Sequence, residues 1–455
     1  MSLPTDETRP DADLASHIPP AERCSYPVRG GNAVRALIDG EPAFRRICEA
    51  VEAARHSVWA TVAFITPDFA LPDGRGDLFD VLDRVAARGL DVRVIFWRPN
   101  PETRQFEPRT FWGSADHRAR LTERGSRFRI RWDRADGIYC QHQKSWLIDA
   151  GQQSEVAFVG GINLNPRSMV APGHAGEHHH HDAYVELAGP SAIDVHRNFV
   201  QRWNEASERA LVGGTWGHDG DDDLPPPSRH SAPRGESQVQ IQRTLRAGRY
   251  TDVAAGETSI FEQYQLAIGA ARRSIYIENQ SLDVPEIVAS LKAALERGVE
   301  VVVLTPAEPE AERAADTPAR QAFLAARTAL SSHESFTVVG IAGMDAHGQR
   351  QNIYVHAKLM LVDDAWATIG SGNLHAYSLF GSTEMNASIW DPAFVRALRR
   401  ELLAEHLGLD ITNLDDVAAL RLYRRIAHEN RRKREAGDHD WRGLAFGLDP
   451  VTWRG

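Results

Sequence analysis

Two copies of a short histidine–lysine–aspartate pattern lie 214 residues apart in this 455-residue chain. Each copy is followed by a glycine-containing turn that ends in asparagine, and the two sets are His142, Lys144, Asp149 and Asn163, and His356, Lys358, Asp363 and Asn373. Side chains two residues apart on an extended strand point to the same side. Each set therefore offers a base or nucleophile, a fixed positive charge and an amide donor. Two such sets facing each other could hold a phosphate diester and cleave it.

The similarity between the two regions extends beyond these motifs. Residues 53–59 match residues 270–276 at an offset of 217, and residues 88–92 match residues 297–301 at an offset of 209. The turn asparagines differ by 210. Landmarks in the same order at a nearly constant offset indicate a tandem duplication.

Each region alternates segments of helical periodicity with short β-branched and aromatic runs, which predicts an α/β fold of two tandem α-β-α sandwich halves related by pseudo-twofold symmetry. A Gly-, Asp-, Pro- and Ser-rich stretch separates them. We therefore expect a flexible leader over residues 1–28, a first half over 29–212, a linker over 213–237, a second half over 238–409 and a helical tail over 410–455.

Composition narrows the function classes. The formal net charge is -10 and the pI is about 6.0, whereas proteins that hold duplex DNA usually present a net basic footprint. We therefore expect no nucleic acid partner. Three widely spaced cysteines argue against a disulfide framework. The chain shows neither a membrane-spanning apolar stretch nor a secretory signal pattern, so we expect a cytoplasmic or peripheral membrane protein; delivery elsewhere as an effector stays open.

The complete motif, present twice, resembles the phospholipase D superfamily over roughly residues 30–410. Several segments resemble its phospholipid-cleaving branch in particular: YIENQ at 276–280, IYVHAK at 353–358, FVQRWN at 199–204 and RELLAEHLGL at 400–409. The resemblance implies that one histidine attacks phosphorus to give a phosphohistidine, while the other protonates the leaving alcohol and then activates water. We assign attack to His142 and acid–base work to His356, although the two copies are too symmetric to settle the order.

The same resemblance assigns the supporting residues. The two motif lysines and the turn residues Asn163 and Asn373 would hold the non-bridging phosphate oxygens without a metal or other cofactor. Glu384, 11 residues after Asn373, and Asp182 are the acids expected to orient the histidines. Asp149 and Asp363, which end the motifs, are interpreted as structural hydrogen-bond anchors.

A run of four histidines, His178 to His181, precedes Asp182. The resemblance indicates a loop at the rim of the cleft, and a metal site is the alternative. The chain departs from the family pattern at Ser281, His375 and Tyr377, which leaves headgroup and acyl-chain preference open.

The leading hypothesis is a phospholipase D that releases phosphatidic acid from glycerophospholipids, with transfer to alcohols as a side activity. Its expected partner is a phospholipid at a membrane surface, and the duplicated chain is expected to act as a monomer. A nuclease or small-molecule phosphodiesterase, a cardiolipin synthase-like transferase and an inactive binding scaffold are the alternatives. The scaffold is disfavoured because both reactive sets are complete.

Overall fold

A computed structural model describes residues 16–308 and 318–449. The strands of the first half are β1 (Arg29–Ile38), β2 (Ser57–Val62), β3 (Asp91–Trp97), β4 (Arg129–Asp133), β5 (Ser145–Ile148), β6 (Val156–Gly160), β7 (His180–His181), β8 (Ala183–Ala188) and β9 (Thr215–Trp216). Those of the second half are β10 (Ser237–Leu245), β11 (Glu257–Thr258), β12 (Ser274–Glu278), β13 (Glu300–Leu304), β14 (Phe336–Met344), β15 (Arg350–Val355), β16 (Leu359–Val362), β17 (Trp366–Gly370), β18 (Glu384–Trp390) and β19 (Ala445–Gly447).

Ten α-helices are described alongside these strands. They are α1 (Gly40–Ala53), α2 (Leu78–Ala87), α3 (Ala115–Arg124), α4 (Ala192–Asn204), α5 (Ser259–Ala270), α6 (Pro285–Glu296), α7 (Pro318–Ala329), α8 (Ala376–Phe380), α9 (Pro392–Leu407) and α10 (Asp416–Glu435). Within the described ranges, none of these helices is both long enough and apolar enough to cross a bilayer.

The two halves repeat one sheet topology. Hydrogen-bonded neighbours give the strand order β1-β8-β6-β5-β2-β3-β4-β9 in the first half. The second half has the order β10-β18-β17-β16-β12-β13-β14-β19. Parallel strands lie beside antiparallel ones in the same positions of both sheets. The predicted α/β duplication is confirmed.

Three large apolar cores among the described residues hold this arrangement together. One lies under α1 and α2 of the first half, and a second lies under α5 and α6 of the second half. The third is shared, because it joins the other faces of both sheets with α4, α9 and α10. Each sheet is therefore covered on both faces, and burial of apolar surface, worth about 25 cal/mol per Å², fixes the halves against each other.

The segment before β1 differs from the expected flexible leader. Residues 1–15 lie outside the described residues, but Ile18 is fully buried in the core of the second half. The indole of Trp390 donates to the carbonyl of Ile18 at 2.8 Å, and the side chain of Gln240 donates to the carbonyls of Ala21 and Tyr26. Residues 16–28 are therefore part of the packed structure.

The expected linker and tail also carry structure. Thr215–Trp216 extends the first sheet as β9, and Asp222 is held by Arg93 at 2.7 Å and by Arg131 at 3.0 Å. Ala445–Gly447 extends the second sheet as β19 in the equivalent place. Trp441 of the tail is buried, whereas Trp453 lies outside the described residues. The last strand of each sheet thus comes from the segment that follows the repeat.

The motif histidines were expected on strands, but in the structure they lie outside them. His142 and Lys144 precede β5, and His356 and Lys358 lie between β15 and β16. The prediction of an extended strand through the second motif was wrong, because β15 ends at Val355 and the backbone N–H groups of His356 and Ala357 donate to the carbonyl of His181 at 2.8 and 3.0 Å. The motifs are strand connections held by neighbouring backbone.

Asp149 and Asp363 lie at the far ends of the strands that follow the motifs. Asp149 Oδ1 accepts from the backbone N–H groups of Arg55 and His56 at 2.9 and 2.7 Å. Asp363 accepts from those of Arg272, Arg273 and Ser274, each at 2.8 Å. Each carboxylate joins its motif strand to the start of a central strand, β2 or β12. Both residues lie outside the site that contains the histidines.

Replacing Asp363 by alanine should destabilise the fold, because three N–H groups would lose a charged acceptor. The expected loss in the free energy of unfolding is about 3 kcal/mol or more, measured as a lower urea midpoint. Asp73→Ala, which removes an exposed ion-pair partner of Arg45 and Arg75, is the control and should leave the midpoint nearly unchanged. Equal midpoints for the two variants would contradict the anchoring role.

Candidate active site

Each motif is held in place by the opposite half of the chain. The backbone N–H of His142 donates to the carbonyl of Thr383 at 2.9 Å, and Gln141 forms an isolated parallel bridge to the same residue. The backbone of His356 is held in the same way by His181, and β7 pairs with β15 in parallel. The two motifs are therefore anchored at the contact between the halves.

The orienting acids also cross between the halves. Glu384 of the second half lies 2.9 Å from Nδ1 of His142, through both carboxylate oxygens. Asp182 of the first half lies 2.6 Å from Nδ1 of His356. The sequence named both acids but did not show that each serves the histidine of the other half. A carboxylate at Nδ1 fixes the tautomer and leaves Nε2 as the reactive nitrogen.

The carboxylates are themselves held by several donors. Ser371 and Ser378 each donate a hydroxyl to Glu384 at 2.6 Å, and the backbone N–H of Ala183 donates to Asp182 at 2.8 Å. The glycine turn packs directly against Asp182. A Cβ on Gly161 would lie 2.4 Å from Asp182 Oδ1, so a larger residue there would displace the acid.

An asparagine of the first half faces the histidine of the second. Asn163 Nδ2 lies 3.5 Å from Nε2 of His356. This contact brings members of both sequence sets to the same point. Asn373 occupies the equivalent turn of the second half, and the side-chain oxygens of both asparagines are buried without a hydrogen-bond partner among the described residues.

Both lysines are buried beside their histidines. Lys144 Nζ donates to the carbonyl of His142 at 2.8 Å, and Lys358 Nζ donates to the carbonyl of His356 and lies 3.0 Å from its Nδ1. Burial lowers the pKa of Lys144 to about 8, against the opposing charge of Glu384. The site therefore concentrates positive charge in a region with little solvent.

The same environment favours neutral histidines. Burial lowers the pKa of His142, with Lys144 adding to the effect and Glu384 opposing it. Burial lowers the pKa of His356 further, and the charges of Lys358 and Lys144 act in the same direction. A neutral imidazole is the nucleophilic form of histidine. The negative charge of a bound phosphate diester would balance the positive charges of the two lysines.

Aromatic rings surround the histidines. The ring of Phe64 lies edge-on to His142 at 5.9 Å, and Lys144 Nζ lies 5.7 Å from the same ring. His180 stacks on His356 at 5.9 Å, and burial together with the charge of His356 lowers the pKa of His180 to about 3. Trp97 packs behind Phe64 and is fully buried.

The predicted rim loop is wrong for the last two residues of the histidine run. His180 and His181 form β7, because they pair with Tyr354 and Val355 at the contact between the halves. His181 is fully buried and contacts Asp39 and Glu278, residues for which the sequence suggested no role. Glu278 lies in the YIENQ segment, which marked it as part of a family pattern without indicating its partner.

Comparisons with known proteins show what the chain as a whole is similar to. A family model described as "Cardiolipin synthase, PLD-like domain" matches residues 265–405. Phospholipase D A of Dictyostelium discoideum is 25% identical, over 84% of this chain and 36% of that protein. Cardiolipin synthase A of Pseudomonas entomophila is 27% identical, over 83% of this chain and 69% of that protein. The chain thus spans about a third of the first relative and about two thirds of the second.

Among solved structures, the phosphatidylserine synthase of Haemophilus influenzae Rd KW20 aligns over 90% of this chain and 97% of that chain. The TM-score is 0.56 at 12% identity, which shows a shared fold. The duplicated α/β topology, the two complete motifs and these relatives together make the chain similar to proteins of the phospholipase D superfamily.

Proposed function

We propose that this protein is a phospholipase D that hydrolyses glycerophospholipids to phosphatidic acid and free headgroup. The observation that carries the proposal is the crossed site, in which Asn163 of the first half lies 3.5 Å from His356 Nε2 of the second. Each reactive histidine has a carboxylate on Nδ1 and a lysine beside it. This arrangement suits a two-step displacement at phosphorus.

In the first step, Nε2 of His142 attacks phosphorus, forming a P–N bond while the bond from phosphorus to the headgroup oxygen breaks. His356, protonated in the substrate complex, gives its proton to that oxygen, and Asp182 stabilises the charged ring. In the second step, His356 takes a proton from water, whose oxygen displaces His142. An alcohol in place of water gives the transfer product. The lysines and asparagines hold the non-bridging oxygens.

Two observations support a phospholipid as the substrate. The named relatives include a phospholipase D and a cardiolipin synthase. In addition, apolar side chains are exposed on the two segments that lead into the site, Ile138 just before His142 and Tyr377 and Phe380 just after Asn373. Such side chains are suited to contact with a lipid surface.

A cardiolipin synthase-like transferase is the second candidate, favoured by the family model over residues 265–405. Both reactions pass through the same phosphohistidine and differ in the acceptor. Two incubations distinguish them, one with phosphatidylcholine in buffer containing ethanol and one with phosphatidylglycerol alone. The products of each are identified by mass spectrometry. Phosphatidic acid and phosphatidylethanol support the phospholipase; cardiolipin as the main product supports the transferase; and no phospholipid turnover in either mixture contradicts both.

Replacing either histidine by alanine should lower kcat on phosphatidylcholine by about 10³-fold or more. The roles separate with phosphatidyl-p-nitrophenol, because p-nitrophenolate leaves without a proton. His356→Ala should then release a burst near one equivalent and retain a phosphohistidine at His142, whereas His142→Ala should give no burst. His347→Ala, at an exposed turn, is the matched control. A burst from His142→Ala alone would reverse the assignment.

The activity should fall in acid. Burial raises the pKa of Asp182 to about 6, although Lys358 opposes the shift. Above that pH the carboxylate is ionised and can hold the Nδ1 proton of His356; as pH falls through about 6 this acceptor is lost. We expect kcat/KM to decline with a midpoint near pH 6. The measurement is a pH–rate profile from pH 4.5 to 8, with thermal unfolding checked at each pH.

Asp182→Asn should lower kcat/KM by about 10²- to 10⁴-fold. It should also remove the fall in kcat/KM near pH 6, here called the acid limb of the pH–rate profile, since an amide does not ionise. The p-nitrophenyl substrate keeps the residual rate measurable. A limb that persists unchanged in the variant would show that another group produces it.

Three exposed side chains, Ile138, Tyr377 and Phe380, and the half-buried Tyr139 are here called the rim patch. The rings of Tyr139 and Tyr377 meet edge to face at 5.9 Å, and the guanidinium of Arg246 lies 5.3 Å from the ring of Tyr139. Ile138 is 50% exposed, Tyr377 48% and Phe380 43%. The bridge between Gln141 and Thr383 holds the two segments side by side.

Replacing Ile138, Tyr377 and Phe380 together by serine should weaken binding to phosphatidylcholine vesicles by about 10-fold or more, because immersion of such side chains is worth up to about 1.5–3 kcal/mol each. Turnover of a monomeric short-chain phospholipid should change little. The control is Leu211→Ser with Val212→Ser, exposed side chains beside β9. Equal losses on vesicles and monomers would contradict membrane contact by the rim patch.

A further inference from the structure

A buried cluster of ionisable side chains lies beside the site, at the contact between the halves. His181 Nδ1 lies 2.9 Å from Asp39 Oδ1, and His181 Nε2 lies 2.9 Å from Glu278 Oε2. All three side chains are fully buried. Asp39 follows β1 in the first half, and Glu278 ends β12 in the second. One imidazole therefore joins a carboxylate from each half.

The cluster is connected directly to the catalytic pair. The carbonyl of His181 accepts from the backbone N–H groups of His356 and Ala357. The next residue is Asp182, whose carbonyl accepts from the N–H of Asp39 at 2.8 Å and whose own N–H lies 3.4 Å from Asp39 Oδ1. A shift of His181 would move both the histidine and the acid that orients it.

The charges in the cluster favour an imidazolium between two carboxylates. Although burial opposes it, Asp39 and Glu278 raise the pKa of His181 well above its ordinary value. In spite of burial, His181 holds the pKa values of Asp39 and Glu278 below their ordinary values. With two carboxylates on one fully buried ring, an imidazolium leaves one negative charge unmatched, whereas an uncharged imidazole would leave both unmatched.

Other groups face this cluster from neighbouring elements. The rings of His174 and His406 lie 5.4 and 5.2 Å from that of His181, and Tyr276 donates its hydroxyl to Glu278 at 2.8 Å. Glu405 lies 3.7 Å from His174. On the other side, the charges of Lys358, Lys144 and His181 act on Asp182, and all three favour its carboxylate form.

We infer that His181 is a positioning residue for the proposed phosphodiester chemistry: its imidazolium ties Asp39 of the first half to Glu278 of the second, and so fixes the His356–Asp182 pair in place. The inference rests on the proposed function for its kinetic readout. The clamp itself, defined as Asp39, His181 and Glu278, is a property of the fold.

A divalent metal is the competing interpretation. Donor atoms of Asp39, His174 and His181 lie within 4.8 Å of one another. However, both ring nitrogens of His181 already lie at 2.9 Å from carboxylate oxygens, the ordinary length of a charge-assisted N–H···O hydrogen bond. Protons satisfy these contacts without a metal, and metal content is therefore one outcome of the test.

The test compares the full-length protein with His181→Gln, which is polar but uncharged. We expect kcat to fall by about 10- to 100-fold through misplacement of His356, while KM for monomeric substrate stays within about threefold. The midpoint pH of the acid limb should also rise by about half a pH unit or more, because Asp182 loses a nearby positive charge and its pKa increases. A purely structural lesion would lower stability without moving the limb.

His196→Gln is the matched control, because His196 is a buried histidine paired with Glu155 at 2.8 Å within the first half. It should lower the melting temperature and leave the limb in place. A limb that does not move in His181→Gln, or that moves equally in the control, overturns the inference. The inference is also overturned if the wild-type protein contains about one metal ion per chain and removal of that ion by a chelator produces the same kinetic change as His181→Gln.

A second measurement does not depend on turnover. Melting temperatures of His181→Gln, Glu278→Gln and the double variant form a thermodynamic cycle. If the clamp joins the halves, the double variant should lose less than the sum of the two single losses; additive losses overturn it. Since this cycle needs no substrate, failure of the clamp is distinguishable from failure of the proposed function, which would show as a wild-type protein inactive on every phospholipid.

Discussion

The candidate site depends on one constraint, which is that each motif histidine receives the carboxylate at its Nδ1 from the other half of the chain. His142 is paired with Glu384 and His356 with Asp182. Neither half alone contains a motif histidine together with its carboxylate, although each contains a complete sequence motif. The apolar core shared by the two sheets therefore does more than stabilise the fold, because it sets the separation and orientation of the reactive groups.

Burial then determines how these groups behave. The histidines and lysines of both motifs are buried, and for His142, Lys144 and His356 desolvation disfavours the charged form. A phosphate diester arriving in such a place meets lysines and amide groups that are already oriented by backbone carbonyls and turns. Electrostatic stabilisation from fixed groups requires little reorganisation during the reaction. For the proposed reaction, the low solvent content would favour both an uncharged histidine as nucleophile and strong contacts to the phosphate oxygens.

The two halves of the fold differ most in two segments near the candidate site. The chain between β6 and β8 contains the histidine run, and its strand β7 pairs with β15 of the other half. This excursion contributes His180 to the surroundings of His356 and His181 to the clamp. In the second half, the segment after Asn373 forms the short helix α8 and exposes Tyr377 and Phe380. The first half thus supplies the central histidine of the buried charge network, and the second half supplies two of the exposed apolar side chains.

The sequence alone determined the duplication and the alternation of helix and strand, because residue type and spacing record these directly. It also predicted the reactive and orienting residues, through the resemblance that the two motifs carry. It could not show the exchange of Asp182 and Glu384 between halves, since two symmetric motifs are equally consistent with pairing inside each half. Nor could it show that the motifs connect strands, because the N–H groups of His356 and Ala357, which follow β15, donate to the carbonyl of His181, a residue about 175 positions earlier in the chain. The role of Asp39 was hidden for the same reason: a single aspartate has no periodic signal, and only packing of the halves places it against a buried imidazole.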